Sequence, residues 1–241
     1  LEQAKHKVAI IQSNYIPWKG YFDMIGSVDE FILFDDAQFT RRDWRNRNKI
    51  KTPQGIKWLT IPVAVKGKYY QKIKETEISD TDWGRQHFET IRTNYARAPF
   101  FQYYRSLFEP LYLSTTERML SQVNRHFIEA ICAELGITTQ LTWSDDYEVV
   151  DGKNERLITL CKQAGADHYL SGPTAQSYLD ETAFAAEGIT VSYMDYAGYA
   201  EYPQLYPPFD HAVSIIDLLF NVGPKARDYM RSAQVIPGSQ P

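Results

Sequence analysis

A mostly parallel, Rossmann-like α/β fold with a helical insertion at about 79–136 is what the sequence predicts, on three observations. Apolar runs at 8–11 and 31–34 end abruptly in polar residues, Gln12 and Asn14 after the first and Asp35 and Asp36 after the second. Two strand-like runs joined by a turn and a short helix begin a βαβ unit, whose parallel strands end on one edge. The last third of the chain repeats this alternation, and the stretch between changes to a helical period. No linker separates that stretch, so residues 1–241 read as one domain with the helical subdomain 79–136 inserted.

Taken in order, Pro17 and Gly20 turn the chain out of the first strand into a short helix. The second strand is followed by a dense run of cations and amides around one indole: Arg41, Arg42, Trp44, Arg45, Asn46, Arg47, Asn48 and Lys49. Strand-like stretches at 49–51 and 57–65 flank Thr52-Pro53-Gln54-Gly55, the pattern of a hairpin. Pro62 in its second arm argues for an edge strand or a bulge. The lysine- and tyrosine-bearing loop 66–74 reads either as a lid or as solvated surface. Ser79 or Asp80 can cap a helix running through Asn94, Pro99 ends it, and further helices are expected at 100–112 and, preceded by Thr115-Thr116-Glu117, up to Leu135. Strands at 139–143, 168–170 and 190–194 then alternate with helices at 154–164 and 175–187. A Pro-rich approach leads to a last helix at 213–221, and residues 238–241 read as frayed.

Composition narrows the function. A net charge of −4 and a pI near 5.8 exclude a general nucleic-acid binder, which needs a broad positive field. The 17 tyrosines favour amphipathic pockets in which a ring packs and its hydroxyl bonds. No apolar run approaches the roughly 20 residues of a membrane span, and the first residues lack a signal-peptide core. With Cys132 and Cys161 expected as core thiols, the chain reads as cytoplasmic.

Ligands of open parallel sheets bind at the carboxyl edge of the strands, so the first-strand loop, with Gln12, Asn14, Tyr15 and Trp18, is a candidate site for a nucleotide or sugar. Arginines present bidentate donors to phosphate or carboxylate, which makes Arg45 and Arg47, with Asn46 between them, candidates for an anionic substrate. Asp35 is a candidate for sugar hydroxyls or for base catalysis, with capping and ion pairing as the structural alternative. His87, on the inward face of a helix, is the histidine placed for acid–base work, although a lone histidine on such a face is more often structural. Ser171 and Gly172 open a strand-turn-helix whose amides can receive an anion. No two histidines have the spacing of a metal pair, so no metal site is expected.

Several motifs in order carry a resemblance: Gln12 with Pro17-Trp18-Lys19-Gly20-Tyr21-Phe22, Asp35-Asp36 with Trp44-Arg45-Asn46-Arg47, Trp58-Leu59-Thr60-Ile61-Pro62-Val63, 165–173 around Ser171-Gly172-Pro173, and 214–221 containing Asp217. The sequence resembles the WbqC-like family over nearly its whole length. The resemblance implies a role in bacterial O-antigen or other surface-polysaccharide biosynthesis, with an enzyme acting on a nucleotide-linked amino sugar. The reaction it implies is acyl or aminoacyl transfer to the amino group, with Asp217 among the substrate-binding residues. Where the family pattern places a lysine shortly after the Ser-Gly-Pro turn, Gln176 stands in this chain. Nothing reads as a coenzyme A or carrier-protein signature, so the acyl or aminoacyl donor and any cofactor are unassigned. Two alternatives stay open: a nucleotidylyltransferase-like enzyme that activates a carboxylate with ATP and Mg²⁺, and a non-catalytic sugar-nucleotide-binding module.

Overall fold

The computed structural model describes residues 6–148 and 150–232. In chain order its strands are β1 (Lys7–Ile11), β2 (Glu30–Leu33), β3 (Arg47–Thr52), β4 (Gly55–Thr60), β5 (Gln140–Trp143), β6 (His168–Ser171) and β7 (Thr190–Tyr193). The helices are α1 (Lys19–Ile25), α2 (Trp83–Tyr95), α3 (Phe101–Leu113), α4 (Leu120–Glu134), α5 (Lys153–Gln163), α6 (Glu181–Ala186) and α7 (Ile215–Val222). Five strands form one parallel sheet in the order β5-β2-β1-β6-β7, and β3 with β4 makes a separate antiparallel hairpin. The mixed, mostly parallel architecture expected from the sequence is therefore the one observed, and it is Rossmann-like.

The topology locates a crevice. From β1 the chain builds outward to β2 and then β5, and afterwards crosses to the other side of β1 to lay down β6 and β7. β1 pairs with β2 on one side, Ile11 opposite Leu33, and with β6 on the other, Ala9 opposite Leu170. The direction of winding thus reverses between β1 and β6, and the loops that leave those two strands diverge there.

Alternation along the strands divides the core into two layers. Ala9, Phe31, Leu33 and Leu170 face the larger one, with α1 to α4 and α7. Val8, Ile10, Ile32, Phe34 and Tyr169 face the smaller one, filled by Ile158, Leu160 and Cys161 of α5 and Phe184 of α6. In α4 the stripe Val123, Phe127, Ile128 and Ile131 is wholly buried, each side chain contributing about 1.5–3 kcal/mol. Both free cysteines are buried, and burial pushes each thiol up to about 12.

Three of the boundaries that differ from the expectation have a local reason. The hairpin spans 47–60 rather than 49–65, because Pro62 offers no N–H to a ladder and Ile61 N instead bonds Asn46 O at 2.7 Å. The predicted helix at 175–187 is a 3₁₀ turn at Pro173–Ser177 followed by α6, since the Asp180 carboxylate accepts from Thr182 N and Ala183 N and starts a new helix there. α2 begins at Trp83, after a turn in which Asp80 Oδ1 accepts from Asp82 N at 2.9 Å. Residues 238–241, expected to fray, lie outside the described residues.

Gly84 sets the spacing of α2 against α3. A Cβ there would stand 2.1 Å from the Tyr112 carbonyl oxygen, so only glycine lets the two helices approach this closely. One turn later His87 is thereby brought level with Tyr112.

Candidate functional site

The loop that leaves β1 is clamped from several directions. Tyr15 N donates to Trp44 O at 3.1 Å, and Asn48 Nδ2 donates to the carbonyls of Tyr15 and Ile16 at 3.1 and 3.0 Å. Ser214 caps α7, its hydroxyl donates to Ile16 O at 2.7 Å, and Ile215 N donates to Pro17 O at 2.9 Å. Between these clamps Ile16 adopts φ 36°, a strained conformation for a β-branched residue, of the kind that clusters at ligand sites.

Beneath the loop lies a knot of buried polar groups. Asp35, at the end of β2, accepts from Ser13 N at 2.8 Å, from Ser13 Oγ at 2.7 Å and from Ser121 Oγ on α4. Burial pushes its carboxyl upward, against the opposing pull of those hydrogen bonds and of Arg45. Asn124 donates to Ser13 Oγ at 3.0 Å and to Arg45 O at 2.9 Å. Arg45 in turn donates to Asn14 Oδ1 and lies near the Gln12 and Ser13 carbonyls. The first loop, the end of β2, α4 and the basic segment are thus one hydrogen-bonded unit.

A second polar chain crosses the helices. His87 Nε2 faces the Thr60 carbonyl at 3.1 Å, and since a carbonyl only accepts, Nε2 carries the proton. Nδ1 is then an acceptor for the Tyr15 hydroxyl at 2.8 Å, which leaves Tyr15 to accept from Tyr112 at 2.7 Å. Burial lowers the His87 pKa to about 4 and so holds the ring neutral.

The surface above is a cleft of about 250 Å³ lined by Asn14, Pro17, Trp18, Trp44, Asn48 and Ala212. Trp18 leans back against Tyr196, ring centroids 5.0 Å apart, over the start of α1. Gly20 makes room for it, since a Cβ there would lie 2.3 Å from the indole. Trp44 packs 5.4 Å from Trp58, which stands opposite Lys49 in the hairpin. Lys49 Nζ lies 5.6 and 5.3 Å from those two rings, and the Arg47 guanidinium lies 4.1 Å over Trp58. Among the described residues neither cation has a carboxylate partner. On the other side of the same segment, Arg41, Arg42 and Arg47 border a groove of about 230 Å³ that Asn46 also lines, and the buried Asn46 Oδ1 is unpartnered among the described residues.

The predicted site residues therefore separate into three sets. Asn14, Trp18, Arg45, Asn46 and Arg47 come together around the aromatic cleft and the arginine groove, while the Tyr15 ring is buried beneath them. Gln12 and Ser171 line a different crevice, on the α5 side of the sheet, and Gly172 follows Ser171 directly. Asp35, His87 and Asp217 are interior. Asp217 accepts from Tyr95 at 2.7 Å, Tyr202 at 2.8 Å and Gln204 at 2.9 Å, and burial raises its carboxyl. Asp36 pairs with Lys72 at 2.8 Å and Lys74 at 2.9 Å, which fastens the far end of the 66–74 loop.

Other residues that build the site were not singled out from the sequence. Ser121 and Asn124 interrupt the apolar stripe of α4, and that interruption was the available signal, because a polar residue on a buried face must find partners. Asn48 sits on the inward face of β3 beside Ile50, the same signal at a strand period. Lys19 stood in the sequence only as part of the family motif, with no role assigned to it. Its ammonium lies 4.9 and 5.3 Å from the Tyr199 and Tyr202 rings, donates to Ala200 O at 3.2 Å, and is lowered by burial to about 8.

These features define a class: a parallel α/β protein whose first-strand loop is braced by a helical layer and adjoins a hairpin where Arg47 and Lys49 lie against the tilted indoles of Trp44 and Trp58. The chain belongs to the WbqC-like protein family, which it matches over residues 12–229. It is similar to the "Uncharacterized protein Rv1507c" of Mycobacterium tuberculosis (strain ATCC 25618 / H37Rv), at 55% identity over 225 residues that cover 93% of this chain and 97% of that protein. No solved structure matches the chain. Among the described residues no helix is long and apolar enough to cross a membrane.

Proposed function

We propose that the protein acts in surface-polysaccharide biosynthesis on a nucleotide-linked amino sugar, as a transferase that places an acyl or aminoacyl group on the sugar's amine. The observation that carries the reading is the placing of Arg47 and Lys49 against the Trp58 and Trp44 indoles, the second of which, with Trp18, walls the cleft. Flat aromatic walls suit a base or a sugar ring, and cations that no carboxylate neutralises suit a diphosphate. At about 250 Å³ the cleft takes one ring, and the rest of such a ligand lies out over the hairpin. The Asn14 amide nitrogen, left over when Oδ1 accepts from Arg45, is a donor for a ring substituent. In this reading Asp35 and His87 are positioning residues: every strong contact they make holds the first loop or its braces.

The test is a thermal-shift and calorimetric screen of the full chain with UDP-, GDP- and dTDP-linked amino sugars, ATP with Mg²⁺, and coenzyme A. A ligand at 100 times its Kd stabilises the native state by about 2.7 kcal/mol. At least one nucleotide-linked amino sugar is expected to raise the melting temperature, and Trp44→Ala and Lys49→Ala are expected to weaken it tenfold or more. Stabilisation by ATP with Mg²⁺ alone would replace this reading with carboxylate activation, and turnover absent from a tight complex would replace it with a binding module.

A further inference from the structure

The crevice outside the carboxyl ends of β1, β2 and β6 is separate from the aromatic cleft. It has a volume of about 410 Å³, within the range of small-molecule sites, and Gln12, Phe34, Lys153, Arg156, Ser171 and Tyr178 are among its walls. It lies at the reversal of winding between β1 and β6, where open parallel sheets hold their ligands.

Its polar groups are arranged for an anion. Ser171 and Tyr169, 3% and 2% exposed, hydrogen-bond to each other at 3.2 Å, and both line the crevice. Two hydroxyls that bond only to one another use one of their two protons, so one buried O–H is left without an acceptor among the described residues. An unmatched buried donor costs about 1–3 kcal/mol until something accepts from it. Lys153 and Arg156 stand on the same wall. Lys153 Nζ lies 3.9 Å over the Tyr178 ring, and the Arg156 guanidinium 5.6 Å over Phe34. Arg156 Nε donates to Val150 O at 3.2 Å, and neither cation has a carboxylate partner among the described residues. Both also fall in the first turn or so of α5, where the helix dipole disfavours positive charge, so helix stability does not explain them. The remaining walls, Phe34, Leu157 and the half-exposed Tyr178, are apolar or aromatic.

We infer that this crevice is a second ligand site, which takes a phosphorylated molecule bearing one planar ring, of the nucleoside monophosphate class. Lys153, Arg156 and the spare Ser171–Tyr169 proton meet the phosphate, and Tyr178 meets the ring. The site stands independently of the proposed use of the aromatic cleft.

Calorimetry of the full chain with the four ribonucleoside 5′-monophosphates tests it, with inorganic phosphate as the ringless probe. At least one monophosphate is expected to bind more tightly than inorganic phosphate. Lys153→Ala and Ser171→Ala are each expected to weaken it fivefold or more, Tyr178→Ala to bring it toward the affinity of inorganic phosphate, and Trp44→Ala to leave it unchanged. Lys153 and Tyr178 are exposed, so melting temperatures of those two variants without ligand should match the parent and exclude misfolding. No binding by any monophosphate overturns the inference, as does binding that survives Lys153→Ala and Ser171→Ala but is lost in Trp44→Ala. Binding of nucleotide-linked sugars that depends on Trp44 and not on Lys153 bears on the aromatic cleft alone.

Discussion

The Tyr15 hydroxyl donates to His87 Nδ1 across 2.8 Å, joining the loop after β1 to a helix 72 residues later in the chain. Because Tyr112 donates to the same hydroxyl and His87 donates to Thr60 O, all three side chains are satisfied only as a set. Tyr15→Phe should cost about 1–3 kcal/mol by leaving Nδ1 and the Tyr112 hydroxyl unmatched. A double-mutant cycle of Tyr15→Phe with His87→Leu, read by urea denaturation, should show coupling of about 0.5–3 kcal/mol. Strict additivity would mean the bond contributes nothing of its own.

Burial of His87 makes stability depend on pH in a defined direction. An exposed histidine in the unfolded chain takes up its proton near 6.5, whereas the native ring resists until about 4. Between those values the unfolded state binds more protons, so this residue's contribution falls as the pH falls, by up to roughly 3 kcal/mol. Asp35 and Asp217, raised by burial, act in the opposite sense, since the native chain protonates them first on acidification. The stability difference between the parent and His87→Gln should therefore shrink from pH 7 to pH 4.5; a constant difference would contradict a buried neutral ring.

Asp35 accepts three hydrogen bonds where only a carboxylate or amide oxygen can reach. Asp35→Ala leaves three donors unmatched and should cost about 3 kcal/mol or more. For a chain of this size that is a fall of roughly 6–12 °C in melting temperature. Asp35→Asn should cost clearly less, because its oxygen keeps Ser13 N and the serine hydroxyls can rotate to accept from the amide. Equal losses in the two variants would show that the space, not the acceptor, matters.

Gly20 is kept small by Trp18. Gly20→Ala places a methyl 2.3 Å from the indole and should expel it from the wall of the aromatic cleft. The helix itself gains up to about 1 kcal/mol from alanine. The expected result is a changed near-UV circular dichroism spectrum and loss of ligand-induced stabilisation, with a melting temperature within a few degrees of the parent. Retained ligand binding would mean that the indole's position is not what the cleft requires.

Ser214 both caps α7 and donates to the strained Ile16. Ser214→Ala should cost about 1–2 kcal/mol, the upper end of a lost cap, because the Ile16 carbonyl loses a partner as well. Hydrogen exchange at Ile215 and Ile216 should speed up with it. Unchanged exchange there would locate the restraint of the loop in Asn48 alone.

Much of the framework was legible in the chain. Runs such as 8–11 and 31–34 are wholly apolar and end in polar residues, which marks buried parallel strands and the edge on which they finish. The basic loop and the first-strand loop were read together from the sequence, and Trp44, Arg45 and Asn48 join the two segments by hydrogen bonds. Asp35 and His87 were candidates for acid–base work as polar residues beside apolar ones, whereas Asp217 entered through the family resemblance alone. Yet a carboxylate that meets three donors and an imidazole with both nitrogens engaged have the same local sequence as catalytic ones.

By itself, the sequence determined the order and type of the elements, since periodicity and turn residues act over a few positions. It also determined the concentration of cations at 41–49 and the family to which the chain belongs. Only the tertiary structure decided that Ser171 and Gln12 face one crevice while Trp18 and Asn14 face another. It alone decided that Lys72 and Lys74 are held by Asp36 whereas Lys49 and Arg47 lie against indoles with no carboxylate partner among the described residues. The reason is that hydrogen bonds and ion pairs join atoms within about 3 Å, and pairs such as Asp36 with Lys72 and Lys19 with Ala200 lie 36 and 181 residues apart, a distance along the chain on which local patterns carry no information.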